Sequence, residues 1–200
     1  SQKPVPEFYV STKNLNGAKN NDRVVVKLLN WEKGEKKPEG EVITVLQAKD
    51  MNDMAMKEIL IQNGFPLEFP KVVLDEAGVL KETIDEKELA KRKDYRGVLT
   101  FTIDPADAKD FDDALSIQKI AKDEYEIGVH IADVSHFVKQ GSELDKEGYS
   151  RATSVYLPDR VNPMLPEKIS NELCSLRPHE DKYTFSVIFK INNKGKIKDY

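Results

Sequence analysis

Between Thr102 and Ala114 the chain reads Thr-Ile-Asp-Pro-Ala-Asp-Ala-Lys-Asp-Phe-Asp-Asp-Ala, so that Asp104, Asp110, Asp112 and Asp113 crowd into one short segment. Two carboxylates about 5 Å apart repel by about 3 kcal/mol at an effective dielectric of about 20. A cluster of these four must fold either fully solvated or around a cation. Apolar residues surround the charges: Leu99, Phe101 and Ile103 before them, Phe111 among them, Leu115 and Ile117 after. That flanking favours a cation held at the edge of a packed core over a loose acidic loop. Carboxylate oxygens suit hard divalent metals. Pro105 disfavours helix at Asp104 and turns the chain. Asp104 therefore ends one expected strand, 98–103, while Asp110, Asp112 and Asp113 lead into the next.

Composition narrows the classes. The chain has 200 residues, a net charge of −4 and one cysteine, Cys174. Such a length allows one or two domains. The apolar stretches are too short for a transmembrane helix, and the opening residues do not form a signal peptide. A single cysteine excludes an internal disulfide and CxxC-type zinc, and is in keeping with a reducing compartment. The net charge offers no global argument for nucleic acid binding. Lys91, Arg92, Lys93 and Arg96 lie just upstream of the acidic segment. They read equally as a polyanion-holding patch or as a solvated charged face.

Patterning divides the chain. Strands are expected at 8–10, 23–29 (buried) and 41–46, with a turn at 14–17 and a polar hairpin loop at 32–40. These strands suit part of a small β-barrel and are too few to close one. A helix follows at 51–63, capped by Asn52 or Asp53 and ended by Gly64 and Pro66. Its apolar stripe comprises Met51, Met54, Ala55, Ile59 and Leu60. Thr83-Ile-Asp-Glu86 fits a capping box that opens a charged helix through about Arg92. Strands return at 98–103, 114–118, 125–132 and 183–192, with helices at 142–151 and 167–176. The chain stops within a last hairpin after the turn at 192–195. The class is α+β.

The acidic segment is not an EF-hand, because neither register places Gly at the sixth or Glu at the twelfth position. It lacks the hydroxyl or valine of aspartyl-phosphate signatures. Residues alone leave two readings open: metal-dependent phosphoryl chemistry, and a solvated or capping structural role.

A resemblance then bears on the choice. The 102–114 segment closely resembles the catalytic signature of the ribonuclease II/ribonuclease R (RNB) family, with wording nearer the bacterial ribonuclease R branch. Gly128-Val-His-Ile-Ala-Asp-Val-Ser-His-Phe-Val138, Gly141-Ser-Glu-Leu-Asp-Lys-Glu147, Thr153-Ser-Val-Tyr-Leu-Pro158 and Pro163 to Leu176 resemble later blocks of the same domain, in family order. The upstream part resembles the end of a cold-shock domain and its linker. The resemblance implies a partial OB-like β-barrel at 1–48, a helical linker at 49–95 and the start of an RNB catalytic domain at 96–200. It implies a cytoplasmic, Mg²⁺-dependent, processive 3′→5′ exoribonuclease that hydrolyses single-stranded RNA to nucleoside 5′-monophosphates.

By that resemblance Asp104, Asp110, Asp112 and Asp113 hold the metal, Asp112 is the most critical for cleavage, and Tyr156 positions the terminal nucleotide. Asp107 matches related sequences without a catalytic role. His130, His136 and His179 are expected to be structural and Cys174 to lie in the core. The 200 residues alone are expected to bind RNA weakly and to have little or no activity. A non-catalytic RNA-binding or regulatory module of the same family is the rival reading.

Overall fold

Three short strands open the chain: β1 (Tyr9–Val10), β2 (Val24–Asn30) and β3 (Glu39–Val45). They form one sheet in the order β1-β3-β2, with β1 parallel and β2 antiparallel to β3. The computed structural model describes residues 7–31 and 37–200, so part of the expected 32–40 loop lies outside the described residues. Asn16 and Gly17 carry positive φ at the expected turn, and Asn16 Nδ2 donates to the Val42 carbonyl at 2.6 Å. The 23–29 stretch does not form a buried strand: β2 is an edge, Val24 to Val26 are half-buried, and Leu28 and Leu29 are exposed.

Helix α1 (Met51–Gln62) is capped by Asp50, whose carboxylate accepts from Asp53 N at 2.8 Å. The expected caps, Asn52 and Asp53, instead lie inside the helix. The Asp53 carboxylate in turn accepts from Lys49 N at 3.0 Å, so two side-chain bonds close the N-terminus. The helix ends at Gly64, whose φ of +80° suits a residue without Cβ. The apolar stripe is only partly used: Leu60 is buried, whereas Met51 is 90% exposed. The strands and α1 belong to one compact unit, Ser1–Leu67; Glu68–Tyr200 form a second.

The second unit is a five-stranded antiparallel sheet with helices. Its strands are β4 (Thr100–Phe101), β5 (Asp113–Ala121), β6 (Glu124–Ala132), β9 (Thr184–Asn192) and β10 (Ile197–Asp199), in the order β10-β9-β6-β5-β4. The small hairpin of β7 (Val155–Tyr156) and β8 (Val161–Asn162) stands apart. Helices α2 (Lys71–Val79), α3 (Glu86–Leu89), α4 (Val134–Phe137) and α5 (Glu143–Arg151) complete the unit with a π-helix, Lys168–Leu173. Asp85 caps α3 by accepting from Lys87 N at 2.9 Å, displacing the expected Thr83 cap. Ser142 caps α5 as expected, accepting from Asp145 N. The segment expected as an ordinary helix at 167–176 winds wider, with Cys174 N donating to Ile169 O at 2.9 Å.

The core joins α2, the end of β6, α5 and the π-helix. Val73, Ala77, Ala132, Leu144, Leu165, Ile169, Leu173 and Cys174 are its buried members. Burial pushes the Cys174 thiol up to about 12, so it packs as a neutral hydrophobe. Arg151, only 5% exposed, passes through this region. It pairs with Glu147 at 2.7 Å, donates to the Glu68 carbonyl at 2.6 Å, and lies 3.7 Å over the Phe69 ring.

The basic run upstream of the acidic segment is engaged locally. Arg92 bridges Glu88 and the buried Asp133, 2.7 Å away, while stacking 4.4 Å from the Tyr183 ring centroid. Arg96 pairs with Asp94 and Asp181, and Lys91 with Glu88. Burial pushes the Asp133 carboxyl up, but hydrogen bonds from Arg92, Ser135 and the His136 amide outweigh it and hold it low. These contacts tie the 85–96 segment to the sheet, which favours the structural reading of the run. His130 sits inside the sheet between Ser186 Oγ (2.7 Å) and Ser116 Oγ (2.8 Å), and burial lowers its pKa. Gly128 leaves room for it: a Cβ there would collide with Ser116 Oγ and the His130 ring. No described helix is long and apolar enough to cross a membrane.

Candidate active site

The acidic segment connects two neighbouring antiparallel strands. Phe101 of β4 pairs with Leu115 of β5, so both ends of the 102–112 loop emerge at one edge of the sheet. A turn at 105–108, closed by Ala108 N on Pro105 O at 3.1 Å, folds the loop back. Asp113 opens β5 opposite Ile131, and the Asp112 carbonyl accepts from Ala132 N at 3.0 Å, extending the ladder. The sheet thus fixes the backbone of Asp112 and Asp113, and the loop returns Asp104 and Asp110 towards them.

The rest of the loop is fixed by the residues that follow the π-helix. Ser175, fully buried, accepts from the Phe111 amide at 3.1 Å and donates to the Lys109 carbonyl at 2.9 Å. The Leu176 amide donates to the Phe111 carbonyl at 2.8 Å. These three bonds straddle Asp110. From the β7–β8 hairpin, the Tyr156 hydroxyl donates to Asp110 Oδ2 at 2.7 Å. That bond raises the phenol pKa to about 12, with burial and the charges of Asp110 and Asp112 adding to the shift. The Tyr156 side chain remains largely exposed.

The electrostatics converge on Asp112. Its carboxyl pKa is raised, first because the protein packed around it withdraws water, then by the negative charges of Asp110, Asp113 and Asp104. A cation in contact with these carboxylates would relieve the repulsion among them. Asp104 Oδ2 is buried with no hydrogen-bond partner. A buried oxygen of this kind costs about 1–3 kcal/mol unless something else satisfies it. Among the described residues no three acidic, imidazole or thiol groups already close into a metal-holding cluster. The four aspartates lie within one another's field without forming a finished cage. An orphaned buried carboxylate oxygen beside a carboxyl strained by like charge is a donor set that fits a hard divalent ion.

The chain has known relatives. The RNB domain model matches residues 92–200, which include the whole site. The chain belongs to the RNB family. A cold shock domain model matches residues 2–70. Ribonuclease R of Thermotoga maritima is 43% identical over 196 residues, covering 97% of the chain and 28% of that relative. The chain thus spans under a third of the length of this relative. Among solved structures, Mycoplasma genitalium RNase R in complex with double-stranded RNA superimposes with a TM-score of 0.84 at 31% identity, covering 97% of this chain and 34% of that one. The same enzyme in complex with ribose methylated single-stranded RNA gives the same TM-score and identity, covering 30% of that chain.

Within the RNB region, residue patterning alone misses Ser175. A signal was present: a serine between Cys174 and Leu176 on an otherwise apolar segment must find partners if buried. The three histidines take no part in the acidic cluster. His136 packs against Phe137 and Tyr183, and His179 is exposed at a backbone φ of +64°.

Proposed function

We propose that the chain is part of a cytoplasmic, Mg²⁺-dependent exoribonuclease that removes nucleoside 5′-monophosphates processively from the 3′ end of single-stranded RNA. The observation that carries the reading is the Asp112 carboxyl, raised by burial and by Asp110, Asp113 and Asp104, beside the unpartnered buried oxygen of Asp104. RNB-family membership and relatives named ribonuclease R support it, as does the RNA in the solved RNase R complexes.

In this reading Asp104, Asp110, Asp112 and Asp113 hold the metal, with Asp112 the most critical for cleavage. When bound, Mg²⁺ supplies charge stabilisation at the scissile phosphate and a more acidic water. Asp112 contributes charge at the point where the fields of Asp110, Asp113 and Asp104 meet. Tyr156 is anchored through its hydroxyl to Asp110, which leaves its ring free to stack on the terminal base. The activity is assigned to the whole protein; the 200 residues alone should bind RNA weakly and degrade it little or not at all. The presence of all four aspartates weighs against a non-catalytic RNA-binding module.

The test is digestion of end-labelled single-stranded RNA by the whole protein. A 3′ label should appear at once as mononucleotide and a 5′ label only in late short products, with a chelator stopping the reaction and Mg²⁺ restoring it. Tyr156→Ala should raise KM about ten-fold, corresponding to about 1.4 kcal/mol of lost stacking. Internal cuts, or full turnover in the chelator, would refute the proposal.

A further inference from the structure

We propose that Ser175 is a positioning residue for the acidic site, holding Asp110 and its neighbours in the geometry that receives a divalent cation; this rests on the metal-site reading above. Ser175 lies 64 positions from Phe111 and 66 from Lys109 in sequence, yet its fully buried hydroxyl bonds to both. The Leu176 amide adds the bond to the Phe111 carbonyl. Together they hold the backbone on both sides of Asp110, directly before Asp112 and Asp113.

Physical reasons point to a positioning role. Four acidic side chains on one loop repel, and the loop's own turn contributes a single backbone bond at Ala108. Left to itself, such a loop relaxes outward and separates its charges. The clamp opposes that relaxation with a small hydroxyl that satisfies one donor and one acceptor at once. It is anchored in turn by Leu173 and Cys174, which belong to the buried core. The wide turn of the π-helix, marked by the Cys174 to Ile169 bond, immediately precedes Ser175. The arrangement therefore ties the loop geometry to the domain core, which is what a binding constellation needs from its support.

The experiment uses the whole protein and Mn²⁺ as a spectroscopic probe. Electron paramagnetic resonance counts the Mn²⁺ that Asp112→Asn removes, and hydrogen exchange follows segments 108–113 and 174–177. Ser175→Ala should weaken this Mn²⁺ at least ten-fold, speed exchange across 108–113, and leave RNA affinity in chelator within two-fold. A merely structural serine would lower the melting temperature with Mn²⁺ affinity unchanged, and that result would overturn the proposal. Should Ser175→Ala fail to fold, the wild type decides. Coupling between sites is reciprocal, so Mn²⁺ must slow exchange in both segments, and exchange in 174–177 that ignores Mn²⁺ would overturn the proposal. Absence of any Asp112-dependent Mn²⁺ in the wild type would instead remove the metal-site reading on which the proposal stands.

Discussion

Asp112→Asn in the whole protein lowers single-turnover hydrolysis by at least ~10²–10³-fold, the range found when one preorganised electrostatic contact to a transition state is lost, while RNA affinity measured in chelator changes little. Asparagine keeps the shape of the side chain and removes only the charge. The residue is poised for that role because burial and three neighbouring carboxylates already oppose its ionisation. Interactions stronger in the transition state than in the ground state affect turnover rather than binding. The sign for stability is opposite. A carboxyl whose pKa is raised on folding costs the metal-free fold stability as pH rises above its unfolded value. Removing it should therefore leave the metal-free protein as stable as wild type or more stable at neutral pH. Single-turnover cleavage, RNA binding and thermal melting in chelator, measured together, check the prediction. Equal losses of binding and turnover with a falling melting temperature would make Asp112 structural.

The second large effect concerns the core. Arg151→Met should destabilise the second unit by about 3–5 kcal/mol, the cost of breaking a buried pair by removing one partner. Glu147 would lose its guanidinium partner with its side chain only 15% exposed. The Glu68 carbonyl would lose a donor, and so would Asn162 Oδ1 and the Pro163 carbonyl. Methionine can refill part of the space over Phe69 but donates nothing. Urea unfolding followed by hydrogen exchange in segment 144–176 reads the loss locally. Adding Glu147→Gln should recover part of it, because the unpaired charge is then gone. An unchanged midpoint would show that the network is dispensable.

What the sequence reveals depends on whether a signal is local. The β5–β6 hairpin, α5 with its Ser142 cap and the long strand β9 are legible because alternation and capping are short-range patterns. Helix α2 is not expected from patterning, although Val73 and Ala77 lie one turn apart. It starts at Pro70 without a side-chain cap, and it carries β-branched Val72 and Val73 and Gly78, all weak helix signals. The caps of α1 and α3 fall on Asp50 and Asp85 rather than on Asn52 or Asp53 and Thr83, because more than one capping residue stands at each start and sequence spacing does not rank them. Helix α4 and the β7–β8 hairpin are too short to register a period. The four aspartates stand out because they are neighbours in sequence. The contact from Tyr156 to Asp110 spans 46 positions, and Tyr156 enters the sequence reading only through the family resemblance. Ser175 touches the loop from still further along the chain, where no local rule reaches.

Crystals of the whole protein soaked in Mn²⁺ at a concentration that supports cleavage, with data collected at the manganese absorption edge, would locate the ion. An anomalous peak is expected in contact with carboxylate oxygens of Asp104 and Asp112, with Asp110 or Asp113 closing the set. An ordered 102–113 loop without a peak, or a peak held by other residues while these carboxylates point into solvent, would contradict the metal-site reading.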